Sequence, residues 1–405
     1  MTHSFDQLWA GTFRHAAANS PFYRDQFRGV TGVPRLEELP TVDKKILSGR
    51  NLDFLCVPRE RVVEIVTTSG TTGQPLLWML TEADARRLAL NEKISFECAG
   101  LTAHDTVLVA VALDRCFIAG LAYTTGLREL GCAVVRVGPS SATLILETIR
   151  RLQPTAIVAV PSFLRHVADK ARETGFDLKN SPVKKAVVIG EPIRDRAFAL
   201  NASGRAIENF WGAKVYSTYG VTELGNSLCE CTAGAGGHLH DQQLHLEILD
   251  DDARPVADGE VGEVVATTFG VEAMPLIRYR TGDCAAFFRA PCACGRTTPR
   301  LGPILGRKNQ KLKFKGASLF PSTLATVLEE TAGVEGFVIV ARKESDLSDS
   351  IEVLFHGAAR SEVLREALQA RAKIAPQIRV ATREEIETLQ LPPQARKRRT
   401  FVDLR

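Results

Sequence analysis

The chain predicts a layered α/β fold in two parts. A large N-terminal domain over 1–306 combines a mostly parallel sheet with an antiparallel β subdomain, and a small α+β domain spans 307–405. Three observations carry this. Short apolar runs at 105–113, 132–137, 156–160, 186–189 and 214–217 are separated by helix-length segments, the pattern of parallel strands joined by crossovers. From Leu244 the runs come at hairpin spacing, at 244–249, 262–268 and 275–280. Past a cationic stretch at 306–316, helix, strand, strand and helix patterns follow at 322–331, 337–342, 350–356 and 361–372. That C-terminal part, about 95 residues, is long enough to fold alone.

In order, residues 1–60 read as helical and irregular, punctuated by Pro34, Pro40 and Pro58. A β-rich run at 61–66 then enters Thr67-Thr68-Ser69-Gly70-Thr71-Thr72-Gly73-Gln74-Pro75. Hydroxyl side chains and close-approaching glycine backbone let such a loop turn many donors toward one anion. It is not a Walker loop, because GxxxxGK[ST] and its lysine are absent; the alternative is an ordinary Ser/Thr/Gly turn between strands. A helix over 81–100 has Thr81 as its cap and Asp84 three residues on. Two strand ends carry distinctive residues, Gly190-Glu191-Pro192 and Tyr219-Gly220-Val221-Thr222-Glu223, where open α/β sheets bind ligands. The hairpin region ends in Arg278-Tyr279-Arg280-Thr281-Gly282-Asp283.

Taken together, TTSGTTGQP, YGVTE, RYRTGD, CACGRTTPRLGPILGR, KGASLFPS and the closing KRRTFVDLR resemble the adenylate-forming ligase superfamily. Within it the likeness is to the phenylacetate–coenzyme A ligase family, from about Phe22 to Arg405. The resemblance implies an adenylate-forming enzyme fold with a mobile C-terminal lid. It also implies ATP-dependent conversion of a carboxylic acid, an aromatic one by likeness, to an acyl-adenylate, with transfer to the thiol of coenzyme A. Alternatives are loading of a carrier protein's phosphopantetheine and a non-catalytic nucleotide-binding protein.

The roles implied follow the motifs. Thr68, Ser69, Gly70, Thr71, Thr72 and Gly73 would hold the phosphates of ATP, with Gln74 where the family usually has lysine. Tyr219 and Gly220, with Gly190, Glu191 and Pro192, would wall the adenine. Thr222 would donate to the α-phosphate, and Glu223 would ligate Mg²⁺, a hard cation that prefers carboxylate oxygen. Asp283, after a tight Thr-Gly turn, would accept the ribose hydroxyls, and Arg307 would reach ribose or phosphate. Lys397, six residues before Asp403, would be the catalytic lysine, although Arg396 stands where glycine is common. Asn309 takes the hinge position, and Lys315 and Gly316 line the thiol's route. Phe117, Gly120, Phe163, Trp211, Ser217 and Tyr219 are the expected acyl-pocket walls.

Cys229-Glu230-Cys231 followed by His238, His240 and His245, and Cys292-Ala293-Cys294 beyond, are compatible with a structural Zn²⁺ site. Cys231, His238, Cys292 and Cys294 are the preferred ligands, because the family often pairs such a Cys and Gly-x-His with a CxCGR segment. His240 in place of His238, or simply reduced buried cysteines, are the alternatives.

Composition narrows the rest. Of 405 residues 45% are hydrophobic and 24% charged. No apolar run approaches the ~18 residues of a membrane span, and the start lacks a signal-like region, so a cytoplasmic enzyme is expected. From Arg307 onward 18 Lys/Arg face 13 Asp/Glu, leaving +5 there and −1 in the first 306 residues. That asymmetry suits an anionic acceptor, coenzyme A or an acidic carrier protein. Aromatics are not interleaved with the basic residues, which argues against nucleic acid. A homodimer is allowed for.

Overall fold

The computed structural model describes residues 3–68, 76–139, 141–314, 317–344, 348–391 and 399–405. The chain divides into two compact units, Met1–Ile304 and Leu305–Arg405, where the sequence drew the line between Gly306 and Arg307.

In the first unit six strands lie in the order Ala133–Arg136, Thr106–Val109, Ala156–Ala159, Lys185–Ile189, Lys214–Val221 and Asn226–Cys229. The first five are parallel and the last is antiparallel. Side chains alternate between the faces of a strand, so this sheet builds two cores. Leu108, Ile157, Ala186 and Val188 pack with helices Ala142–Leu152, Pro161–Glu173 and Ala202–Trp211. Val107, Val109, Val158 and Val187 pack with helices Glu82–Cys98 and Ile118–Leu130. Thr81 and Asp84 form a reciprocal capping box at the start of Glu82–Cys98. The strand expected to stop at Ser217 runs on through Val221 because Asn226–Cys229 pairs with its end, and only Thr222–Leu224 turns.

The antiparallel sheet places Leu244–Leu249, Val261–Thr268, Tyr279–Phe288, Arg300–Leu301 and Gly237–His238 side by side in that order. The strand expected at 275–280 is displaced. Arg278 holds a left-handed backbone (φ 49°) that interrupts any extended run, so the strand begins at Tyr279. Its pairing then shifts: Arg280 lies opposite Val265 but Cys284 opposite Glu263, and Thr281, Gly282 and Asp283 bulge between them. Gly282, at φ 78°, takes the conformation this bulge requires. Asp283 therefore projects from inside a strand, not from a turn after one. Near the N-terminus, helices Phe5–Asn19 and Pro21–Gln26 bring Phe13, Phe22, Tyr23 and Phe27 into an aromatic cluster with Phe54. Ile277 donates its backbone N–H to the Tyr23 hydroxyl at 2.8 Å, fastening the cluster to the antiparallel sheet.

In the second unit Val334–Lys343 and Asp349–Gly357 pair antiparallel, flanked in parallel by Phe401–Asp403 and Gln377–Val380. Helices Pro321–Glu330 and Ser361–Ala372 cover one face through Leu324, Leu328, Leu364 and Leu368. Arg383–Gln390 covers the other through Ile386.

Candidate active site

Strand Lys214–Val221 delivers Tyr219, and the turn after it delivers Glu223. The Tyr219 hydroxyl donates to Asp283 Oδ2 at 2.9 Å. Burial, then the Asp283 carboxylate, push this phenol well above its ordinary value, so it stays a donor. Glu223 is not the solvated loop acid its surroundings in sequence allow: it is 4% exposed. Its Oε1 lies 3.4 Å from Lys44 Nζ and accepts from the Tyr279 hydroxyl at 3.4 Å. Thr222, next to Glu223, is half-buried.

Lys44 and Tyr279 escaped the sequence reading. Lys44 opens a short helix capped by Asp43. Val42, just before it, accepts from Arg280 N at 2.7 Å and donates to Arg278 O at 3.0 Å, a pairing across more than half the chain. Only the Arg-Tyr-Arg context hinted that this strand matters, and nothing local marks Lys44.

The other expected nucleotide residues are distributed as follows. Thr68 is buried, and its N–H and hydroxyl bond Leu76 across the neck of the Thr/Ser/Gly loop. Ser69, Gly70, Thr71, Thr72, Gly73, Lys315, Gly316 and Lys397 lie outside the described residues. Gly190 and Pro192 are exposed after strand Lys185–Ile189, and Gly220 is exposed near the end of its own strand. Glu191 has a structural occupation: it accepts from Ser162 N at 2.9 Å and Ser162 Oγ at 2.6 Å, at the start of Pro161–Glu173. Arg307 and Asn309 are exposed and belong to the second unit, where the Asn309 carbonyl accepts from Arg405 at 2.9 Å.

The expected acyl walls are spread over several elements, with Ser217 and Tyr219 on one strand. Trp211 is fully buried and donates its indole N–H to Leu164 O at 3.1 Å, as a core side chain. Phe163 packs against that same core. Phe117, 38% exposed, precedes helix Ile118–Leu130 on the other face of the sheet. Gly120 serves packing: a Cβ there would stand 2.1 Å from Ala112 O. Ser217 is half-buried and gives its N–H to Glu230 Oε2 at 3.0 Å. Trp211 and Phe163 both sit on helices that cover the face of the sheet opposite Ile118–Leu130, Trp211 within the core there and Phe163 half-buried against it.

Cys231, His238, Cys292 and Cys294 converge, their ligand atoms all within 4.8 Å of one another. Cys231 Sγ lies 3.6 Å from Cys292 Sγ, and Cys294 Sγ 3.5 Å from His238 Nε2. His238 Nδ1 is held by Thr298 Oγ1 at 2.9 Å, which aims Nε2 inward. Burial pushes His238 down to about 4, so the imidazole is neutral, the form that ligates. Burial raises the Cys294 thiol, but bonds from Arg296 outweigh it and bring it to about 7. A tetrahedron with Zn–S bonds of ~2.3 Å has edges of ~3.8 Å, the spacing these donors already approach. His240 is elsewhere, bonded to Asn91 at 2.6 Å through Nδ1.

A family model described as AMP-binding enzyme matches residues 31–272. A phenylacetate–coenzyme A ligase of Thermus thermophilus is 29% identical over 95% of this chain and 92% of its own length. One from Escherichia coli is 31% identical over 80% of this chain and 76% of its own length. A crystal structure of 2-hydroxyisobutyryl-CoA ligase in the postadenylation state aligns with TM-score 0.84 at 22% identity, covering 99% of this chain and 90% of that one. The last likeness establishes the fold. The chain belongs to the AMP-binding enzyme family and, within it, to the phenylacetate–coenzyme A ligase-like group of AMP-forming acid–thiol ligases.

Proposed function

We propose that the chain joins an aromatic carboxylic acid to the α-phosphate of ATP, expelling pyrophosphate, and that the thiol of coenzyme A then displaces AMP to form a thioester. The observation that carries the reading is the buried Glu223, paired with Lys44 and Tyr279, within electrostatic reach of the Tyr219–Asp283 pair. The identified relatives named for phenylacetate support an aryl acid.

In this reading the Tyr219 ring stacks on adenine, while Asp283, already hydrogen-bonded to Tyr219, accepts ribose hydroxyls. Thr222 donates to the α-phosphate, and the loop from Thr68 to Gly73 receives the departing pyrophosphate. Glu223 holds a magnesium ion, which supplies charge neutralisation along the triphosphate. Lys44, 3.4 Å from Glu223 Oε1, holds that carboxylate in place before the nucleotide arrives. Lys397 bridges carboxylate and α-phosphate as charge builds between them, and 307–405 swings as a lid about Asn309 between the two half-reactions. Cys231, His238, Cys292 and Cys294 hold a structural zinc ion. The +5 balance of 307–405 also suits an acidic carrier protein as acceptor.

The test is carboxylate-dependent exchange of pyrophosphate into ATP across arylacetates, benzoates and short aliphatic acids, followed by thioester formation with coenzyme A or a carrier protein. Exchange confined to aryl acids, with coenzyme A as acceptor, is expected. Exchange with aliphatic acids alone, or with none, overturns the reading. Lys397→Ala is expected to cost ~10²-fold or more in exchange.

A further inference from the structure

We propose that Arg87 is a positioning residue that holds the turn carrying Glu223, and so sets where the nucleotide's metal ion is bound. This rests on the reading of Glu223 as the metal ligand. Arg87 stands on helix Glu82–Cys98 and spends its whole guanidinium on the loops around that turn. Nη1 donates to Gly225 O at 3.0 Å, Nη2 to Asn226 Oδ1 and Gln243 O at 2.6 Å each, and Nε to Phe269 O at 2.7 Å.

None of these four acceptors is a carboxylate. Burial pushes Arg87 down to about 10, against the pull of Asp84, so it remains charged at neutral pH, and among the described residues no salt bridge explains its presence. What the geometry uses is the planar fork, which reaches four divergent acceptors where an ammonium has only three donors at one point.

The bonds close into a circuit. Asn226 Nδ2 donates to Gln243 Oε1 at 3.2 Å, Gln243 Nε2 to Arg87 O at 3.2 Å, and Phe269 N to Gln243 O at 2.8 Å. Gly225, left-handed at φ 53°, donates its N–H to Thr222 O at 3.2 Å, so displacement of Gly225 is felt one residue from Glu223. The helix itself is pinned at its start, where Asp84 accepts from Glu272 N at 2.7 Å and Ala273 N at 2.9 Å. Glu223 is thus held twice: at its carboxylate by Lys44 and Tyr279, and through its backbone by Arg87.

The test uses the full chain and Mn²⁺ as probe, titrated into the ATP complex, comparing wild type, Arg87→Lys and Glu223→Gln. Arg87→Lys is expected to weaken Mn²⁺ about tenfold, the usual cost of losing an outer-sphere support, and to lower kcat for exchange while leaving KM for the acid unchanged. Wild-type Mn²⁺ affinity in Arg87→Lys, beside a loss in Glu223→Gln, overturns the proposal and leaves the metal reading standing. Wild-type affinity in Glu223→Gln overturns both. Should Arg87→Lys fail to fold, Asn226→Ala decides: removing that one acceptor weakens Mn²⁺ if the proposal holds and changes nothing if it does not.

Discussion

Glu92 gives the sharpest test of how this structure is balanced. It is 3% exposed, beneath strand Asn226–Cys229, and accepts from Ser227 Oγ at 2.7 Å. Gly126 crowds it from helix Ile118–Leu130, where an added Cβ would stand 2.4 Å from Glu92 Cβ. The Tyr123 phenol and Cys229 thiol beside it are themselves pushed up by burial, so both stay neutral. Burial lifts Glu92 from 4.5 to about 8, the Ser227 bond opposing. The folded chain therefore keeps a proton that the unfolded chain releases above pH 4.5, and stability falls as pH rises from there to about 8, then levels. At ~1.4 kcal/mol per pH unit the whole loss is on the order of 5 kcal/mol as a ceiling. Glu92→Gln preserves shape and acceptor but has no proton to lose. With half that ceiling surviving relaxation, and ~2 °C per kcal/mol for a unit of this size, its Tm should exceed wild type by about 5 °C at pH 8.5. At pH 5 the two should melt together. Thermal melts at both values measure it, and a Tm difference that does not change with pH refutes the assignment.

Three further outcomes are expected. Trp211→Phe should lower stability by ~1–3 kcal/mol in denaturant unfolding, through a smaller ring and the lost indole bond to Leu164 O, without altering preference among acids; a changed acid preference would return Trp211 to the pocket. The purified protein should carry one equivalent of zinc by elemental analysis, and Cys292→Ser should lose it together with several degrees of Tm; full zinc retention in that variant would exclude Cys292 as a ligand. Gln74→Lys should tighten apparent ATP affinity in the exchange assay by supplying a charge on the pyrophosphate side, an idea abandoned if that affinity is unchanged.

The elements were largely legible where one period dominated. Apolar runs with helix-length spacing foretold the parallel strands, and Thr81 with Asp84 foretold a helix start, because a cap bonds its own backbone within three residues. The strand expected at 275–280 lies instead at Tyr279–Phe288, since its start depends on the left-handed Arg278 and its bulge on pairing with Val261–Thr268. Trp211 shows the same limit: an aromatic near a motif looks like a pocket wall until the neighbouring helix fixes which face it covers.

By itself the sequence determined the order of motifs, the CxC and histidine donors, and the acids at Glu223 and Asp283, since these are properties of residue type and spacing along one chain. Tertiary structure alone decided that Lys44 meets Glu223, that Thr298 turns His238 Nε2 toward the sulfurs, and that Arg87 gathers three loops. Such contacts join residues up to some 180 positions apart, and their energy depends on burial and direction, neither of which is written in the local order of side chains.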